Sequence, residues 1–142
     1  GKTVYLIGID APENVANEKA RIFAKNTGTD IKDIMAKGKE SEKFLKGLLE
    51  GKEVRLEFDV IREDKKGNLL AYVFVVEDPK GKKNSANPAG LETAGNGDVF
   101  INATMIKSGY ASTLAIPPNV KYSQSFKQLS IDAVKNKRGL WK

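Results

Sequence analysis

Apolar positions recur along this chain in two rhythms. Thr3 to Ile9 (TVYLIGI) is a nearly continuous apolar, β-branched run, which predicts a buried strand. Asp10-Ala11-Pro12-Glu13 ends it, because Pro12 has no N–H for a ladder and imposes a turn. Asn17 to Lys25 reads as a short helix, broken at Thr27-Gly28-Thr29-Asp30, where Thr29 or Asp30 can cap the next one. Ile31, Ile34, Met35, Leu45, Leu48 and Leu49 then repeat at helical spacing up to Glu50, with Gly38 a candidate division. The rhythm then switches. Val54, Leu56 and Phe58 alternate with Arg55, Glu57 and Asp59, as in a half-buried strand. Asp64 to Asn68 is turn-like, and Leu69 to Val76 (LLAYVFVV) is apolar enough for a central strand.

Beyond it the pattern fades. Residues 78–97 carry little to bury and predict a long mobile loop. Val99 to Ile106 begins as a strand end and turns helical, stopping at Gly109. Tyr122, Phe126, Leu129 and Ala133 mark one face of a last helix over about 122–137. Lys137-Arg138-Gly139 suits its end, with cations at the negative dipole end and glycine at the cap. Leu140-Trp141 is expected to pack back on the core. With no internal repeat and no linker, residues 1–142 read as one domain. It is α+β, mainly sheet with helices, with too few strands to close a barrel.

Composition narrows the chemistry. The chain has 142 residues with no cysteine and no histidine. Disulfides, thiol nucleophiles, Ser-His triads and His/Cys zinc sites are excluded. Acid-base work falls to Asp, Glu, Lys or Tyr, and a metal would need oxygen ligands, which suits calcium or magnesium. No run approaches the ~20 apolar residues of a membrane helix. The chain opens on a strand with no signal-peptide pattern, while Gly1 is compatible with a removed leader, so a soluble protein is expected and its compartment stays open. The net charge is +6, and the excess sits in residues 101–142, with seven basic residues and one acidic. Such a tail attracts polyanions or serves only as a solvated face.

Four segments together resemble the staphylococcal nuclease (thermonuclease) family. Leu6-Ile7-Gly8-Ile9-Asp10-Ala11-Pro12-Glu13 is similar to its strand followed by Asp-Thr/Ala-Pro-Glu. Phe58-Asp59 and Asp64 to Val73 resemble its hairpin, usually Asp-x-Tyr-Gly-Arg-x-Leu-Ala-Tyr. Asn102 to Gly109-Tyr110-Ala111 and Arg138-Gly139-Leu140-Trp141 match its later motifs. The resemblance implies an OB-fold and calcium-dependent hydrolysis of DNA and RNA. In that chemistry a calcium polarises a phosphate oxygen, a glutamate deprotonates water, and two arginines neutralise the charge growing on the phosphoryl group. By position, Asp10 and the Ala11 carbonyl would hold the metal and Glu13 would be the general base. Taken by themselves, Asp10 and Glu13 also read as an acidic turn capping the following helix.

The departures bear on activity. Tyr5 and Asn68 stand where the family places its two arginines, and Lys66 replaces the hairpin tyrosine. The family's earlier strand hairpin, with a second metal aspartate, has no counterpart, so two barrel strands are absent. Asn96-Gly97-Asp98-Val99 is similar to the motif of that hairpin but stands in another place and reads as coincidence. Loss of one phosphoryl donor costs roughly 10²–10³ in rate, and of an arginine finger roughly 10³–10⁵. The expectation is a catalytically impaired nuclease-like domain with weak calcium binding. Lys65, Lys66 and Lys121 are expected to contact nucleic acid, with Tyr110 either a stacking platform or a buried residue with its hydroxyl bonded. Two other readings remain: an active nuclease whose first strands lie outside this chain, and a protein-interaction module. Open strand edges would favour self-association.

Overall fold

The computed structural model describes residues 3–12, 16–76 and 91–142. The apolar run at the start does form strand, but in two pieces, β1 (Val4–Leu6) and β2 (Ile9–Asp10). The break falls at Ile7-Gly8. Gly8 has φ 82°, and a Cβ there would lie 2.8 Å from the Phe126 ring. Glycine is required by both the left-handed backbone and the close approach of that ring.

Asn17 caps α1 (Glu18–Thr27), its side-chain oxygen accepting from the Ala20 N–H at 2.8 Å. Asp30 caps α2 (Ile31–Leu49) through the Lys32 N–H at 2.9 Å. Gly38 does not divide α2, which is continuous. It is buried one turn before buried Ser41, whose hydroxyl donates to the Tyr110 carbonyl at 2.6 Å.

The sheet is centred on β4 (Leu69–Val75). β3 (Val54–Glu57) pairs with it antiparallel on one side, Leu56 opposite Val73. On the other side β1 pairs parallel with its first half, Tyr5 opposite Leu70, and β5 (Val99–Phe100) pairs antiparallel with its last residues. Between β1 and β5 the ladder is completed by a side chain. Asn102, fully buried on α3 (Ile101–Lys107), accepts from the Val73 N–H at 2.8 Å and donates to the carbonyls of Ile7 at 2.8 Å and Ala71 at 3.3 Å. A short β6 (Ser112–Thr113) pairs with β2. The sheet does not close into a barrel among the described residues.

The core lies between this sheet, α3 and α4 (Ser123–Lys135). Phe126 and Ala133 are buried, and Tyr122 and Leu129 pack beside them. Burying a ring such as Phe126 stabilises the fold by about 2–3 kcal/mol. After α4 a single 3-10 turn, Gly139–Trp141, returns to the α3 end, where the Leu140 N–H donates to the Gly109 carbonyl at 2.9 Å.

Part of the expected loop is ordered. Residues 91–97 form a tight hairpin leading into β5, with Thr93 bridged to Val99 and Glu92 paired to Lys107 at 2.8 Å. The turn Ala94-Gly95-Asn96-Gly97 reproduces the geometry of Asp64-Lys65-Lys66-Gly67, with the same pair of backbone bonds closing each. Asn96-Gly97-Asp98 is thus the local turn chemistry of a hairpin. The remainder of the expected mobile loop, 78–90, lies outside the described residues.

Candidate functional site

The turn that ends β2 stands between two depressions. A cleft of about 630 Å³ runs along β1 from Val4 to Pro12, walled by α2 at Gly38, Ser41 and Leu45 and by the loop 114–119. A smaller pocket of about 280 Å³ lies on the other side of Asp10-Ala11-Pro12, between α1, α2 and the C-terminal turn. Both share Asp10, Ala11, Pro12 and Lys19. Three of the candidate residues, Tyr5, Asp10 and Ala11, therefore meet in one cleft. Glu13 lies outside the described residues.

Asp10 is fixed through its backbone. It pairs with Ser112 across the β2–β6 ladder, and its carbonyl accepts from the Ser112 hydroxyl at 3.1 Å. Its carboxylate is bonded to the Lys19 ammonium at 3.0 Å. Lys19 lies in the first turn of α1, so the helix that follows the turn returns a cation to the acid that precedes it. The pair is largely exposed, and pairs of this kind are weak in water. Calcium takes six to eight oxygen ligands. Among the described residues no group of three or more acidic side chains is placed to share an ion. Of the two described carboxylates lining the cleft, Asp10 and Glu42, Asp10 already faces an ammonium, and the described part of the site does not fit that metal.

Tyr5 projects from β1 into solvent, 53% exposed. Asn68 is committed to its own turn. Its side-chain amide donates to Asp64 Oδ2 at 3.0 Å and its backbone N–H to Asp64 Oδ1 at 2.9 Å. That Asn68 bond, with the Lys66 N–H, holds the Asp64 carboxyl below its ordinary value. Asn68 immediately precedes Leu69, the partner of Val4, so both positions adjoin one end of the parallel pair. Asn68 does not line the cleft. Lys65 and Lys66 are exposed at the hairpin tip beside it.

The other expected contacts lie elsewhere. Tyr110 is half-buried and stacked on Phe44, ring centroids 4.3 Å apart, so one face of its ring is covered. Lys121 is paired to Glu57 at 3.3 Å, in a cluster around Tyr72 and Tyr122. There the Tyr72 hydroxyl donates to Asp59 at 2.7 Å and the Tyr122 hydroxyl to Glu57 at 2.7 Å. Burial pushes the Asp59 carboxyl up. The Tyr72 hydroxyl and the N–H groups of Lys121 and Val60 outweigh it and hold the acid below its ordinary value. Burial, reinforced by Asp59, raises the Tyr72 hydroxyl far above the usual tyrosine range.

Lys19 and Asn119 were not singled out from sequence, and Asn102 was matched to a motif without its role being read. Lys19 reaches Asp10 only because a helix begins between them, which the Asn17 cap signals. Asn102 gives no sign in its residue type that it spans a gap in a sheet. Asn119 accepts from the Ile61 N–H at 2.8 Å and donates to the Ile61 carbonyl at 2.9 Å, clamping the loop above the cleft.

The model of the family described as staphylococcal nuclease homologue matches residues 3–142. The chain is 30% identical over 138 residues to the thermonuclease of Staphylococcus intermedius, taking in 97% of this chain and 62% of that protein. To the thermonuclease of Staphylococcus hyicus it is 29% identical, over 99% of this chain and 63% of that one. An uncharacterized protein of Bacillus anthracis is 31% identical over 99% of this chain and 50% of its own length. The chain spans less than two thirds of each of these relatives.

Proposed function

Because the chain belongs to the staphylococcal nuclease homologue family, we propose that it is a nucleic-acid-binding member whose phosphodiester hydrolysis is impaired. One observation carries the reading. Among the described residues lining the cleft, Lys19 is the sole cation, and it is already bonded to Asp10. Phosphoryl transfer needs preorganised positive donors where charge grows on the oxygens. Tyr5 offers a neutral hydroxyl, and Asn68 directs its amide at Asp64. Lysines nearby act as point charges and do not clamp two oxygens at once. Glu13 would be the general base by position, and calcium would bind weakly, since affinity in such sites follows the number of charged ligands.

Binding then rests on charge: the hairpin lysines Lys65 and Lys66, and the basic stretch after residue 100. It is tested by titrating a single-stranded oligonucleotide at several salt concentrations. Affinity should fall steeply with salt. Affinity that ignores salt, or none at low salt, overturns the reading. Tyr5→Arg with Asn68→Arg should restore little hydrolysis alone, and more once a strand hairpin supplying a second aspartate is added.

A second reading, a protein-interaction module, is favoured by the outer edge of β1. Leu69 donates to the Thr3 carbonyl and Ile7 donates to Ala71, so the alternate residues Val4 and Leu6 turn their backbone groups away from β4. Thr3 to Ile9 carries no charge that would discourage a further strand. Sedimentation equilibrium tests self-pairing at this edge: a concentration-dependent dimer supports it, and a monomer at all concentrations rejects it.

A further inference from the structure

The smaller pocket has features that charge-driven binding does not use. Its walls are mostly apolar, formed by Ala20, Ile34, Ala111 and Leu140, and two aromatic side chains line it from different elements. Phe23 comes from α1 and is 55% exposed, and Trp141 comes from the C-terminal turn and is 39% exposed. Both rings line the recess and remain partly open to water. The polar groups are few. The Thr27 hydroxyl lies 2.7 Å from the Phe23 carbonyl and 3.0 Å from the Thr29 hydroxyl, and Ser112 is nearby. The ionic lining residues are Asp10 and Lys19, bonded to each other, and Lys37. The recess therefore suits a flat aromatic body with hydrogen-bonding edges, joined to an anion.

We propose that this pocket is a nucleobase subsite. One base of a single strand stacks against Phe23 and Trp141, its edge meets the Thr27–Thr29 hydroxyls, and the attached phosphate lies toward Lys37. Bases stack on aromatic side chains regardless of sequence, because each has a π-face. The pocket shares Asp10, Ala11 and Pro12 with the larger cleft, so a strand seated here would continue across that turn into it. The inference rests on the nucleic-acid-binding reading and assigns a place where a base, not only a phosphate, is held.

Trp141 is the sole tryptophan of the chain, so its emission reports directly on the pocket. The experiment titrates the protein with pentathymidylate and with an abasic strand carrying the same phosphates, at low salt. Pentathymidylate should quench Trp141 and bind at least about fivefold more tightly than the abasic strand, the lower end of what one stacked base contributes. Phe23→Ala, at an exposed helix position, should weaken pentathymidylate about tenfold and leave the abasic strand unaffected. Lys37→Gln should lower the slope of log affinity against log salt by about 0.7. Equal affinity for both strands with unchanged Trp141 emission would overturn the subsite and leave charge-driven binding standing. Failure of both strands to bind would remove the two together.

Discussion

At the residue scale, side chains that complete the backbone's hydrogen bonding carry more of the fold than their number suggests. Asn102 occupies the gap that β1 and β5 leave on one edge of β4. Asn102→Ala leaves the Val73 N–H and the Ile7 carbonyl buried without partners. At about 1–3 kcal/mol per orphaned group, we predict a loss of about 3 kcal/mol in urea unfolding. A loss under about 1 kcal/mol would show that water or backbone shift replaces the amide. Asp59 makes a prediction in pH. Its folded carboxyl titrates below the ordinary value of 3.8, so the folded state favours the ionised form. That stabilisation is present in full well above the ordinary value and disappears as pH falls through it to the lower folded value. Asp59→Asn should therefore lower the urea midpoint near pH 6, with the gap to the unmodified protein closing towards pH 3. A gap independent of pH would place the effect in packing.

At the element scale, sequence showed which segments are helix or strand, and left open how glycines act within them. The run 3–9 reads as strand because every residue but Gly8 favours it. The break comes from Phe126, far along the chain, pressing on a position that must lack a Cβ. Gly38 reads as an interruption because glycine weakens helices, whereas here α2 runs through it unbroken. The hairpin at 91–100 did carry its turn signal, Gly95-Asn96-Gly97-Asp98, but the polar stretch before it masked that. Of the candidate site, the turn 10–12 and Tyr5 were legible as one cluster. The Lys19–Asp10 pair was not, because it depends on the angle at which α1 leaves the turn. Two element-level predictions follow from these packings. Gly109 has φ 82°, and a Cβ on it would run into the Arg138 carbonyl where the last turn docks. Gly109→Ala should cost about 2–4 kcal/mol in unfolding free energy, and a neutral result would mean that the C-terminal turn does not dock. Replacing residues 79–89 by a short Gly/Ser link should barely shift the melting temperature, while extending the deletion through 97 should lower it by several degrees, because the second cut removes the Glu92–Lys107 pair and the Thr93–Val99 bridge. Equal shifts for both would contradict that division.

At the scale of the whole molecule, a sheet edge, two depressions about one turn and an uneven charge distribution bear on the proposed function. At the turn that ends β2, Asp10 is bonded to Lys19, and Tyr5 and Asn68 stand where the resemblance would place arginines. The basic residues that would draw in a strand lie on the hairpin and in the last third of the chain. On the proposed reading, attraction without a preorganised clamp on the phosphate gives binding without turnover. The direct test follows the cleavage of end-labelled single-stranded DNA by the unmodified chain, with and without millimolar calcium. The account predicts hydrolysis near background in both conditions, on DNA that the protein binds. Robust calcium-dependent cleavage, abolished by Glu13→Gln, would contradict it and identify the chain as an active nuclease.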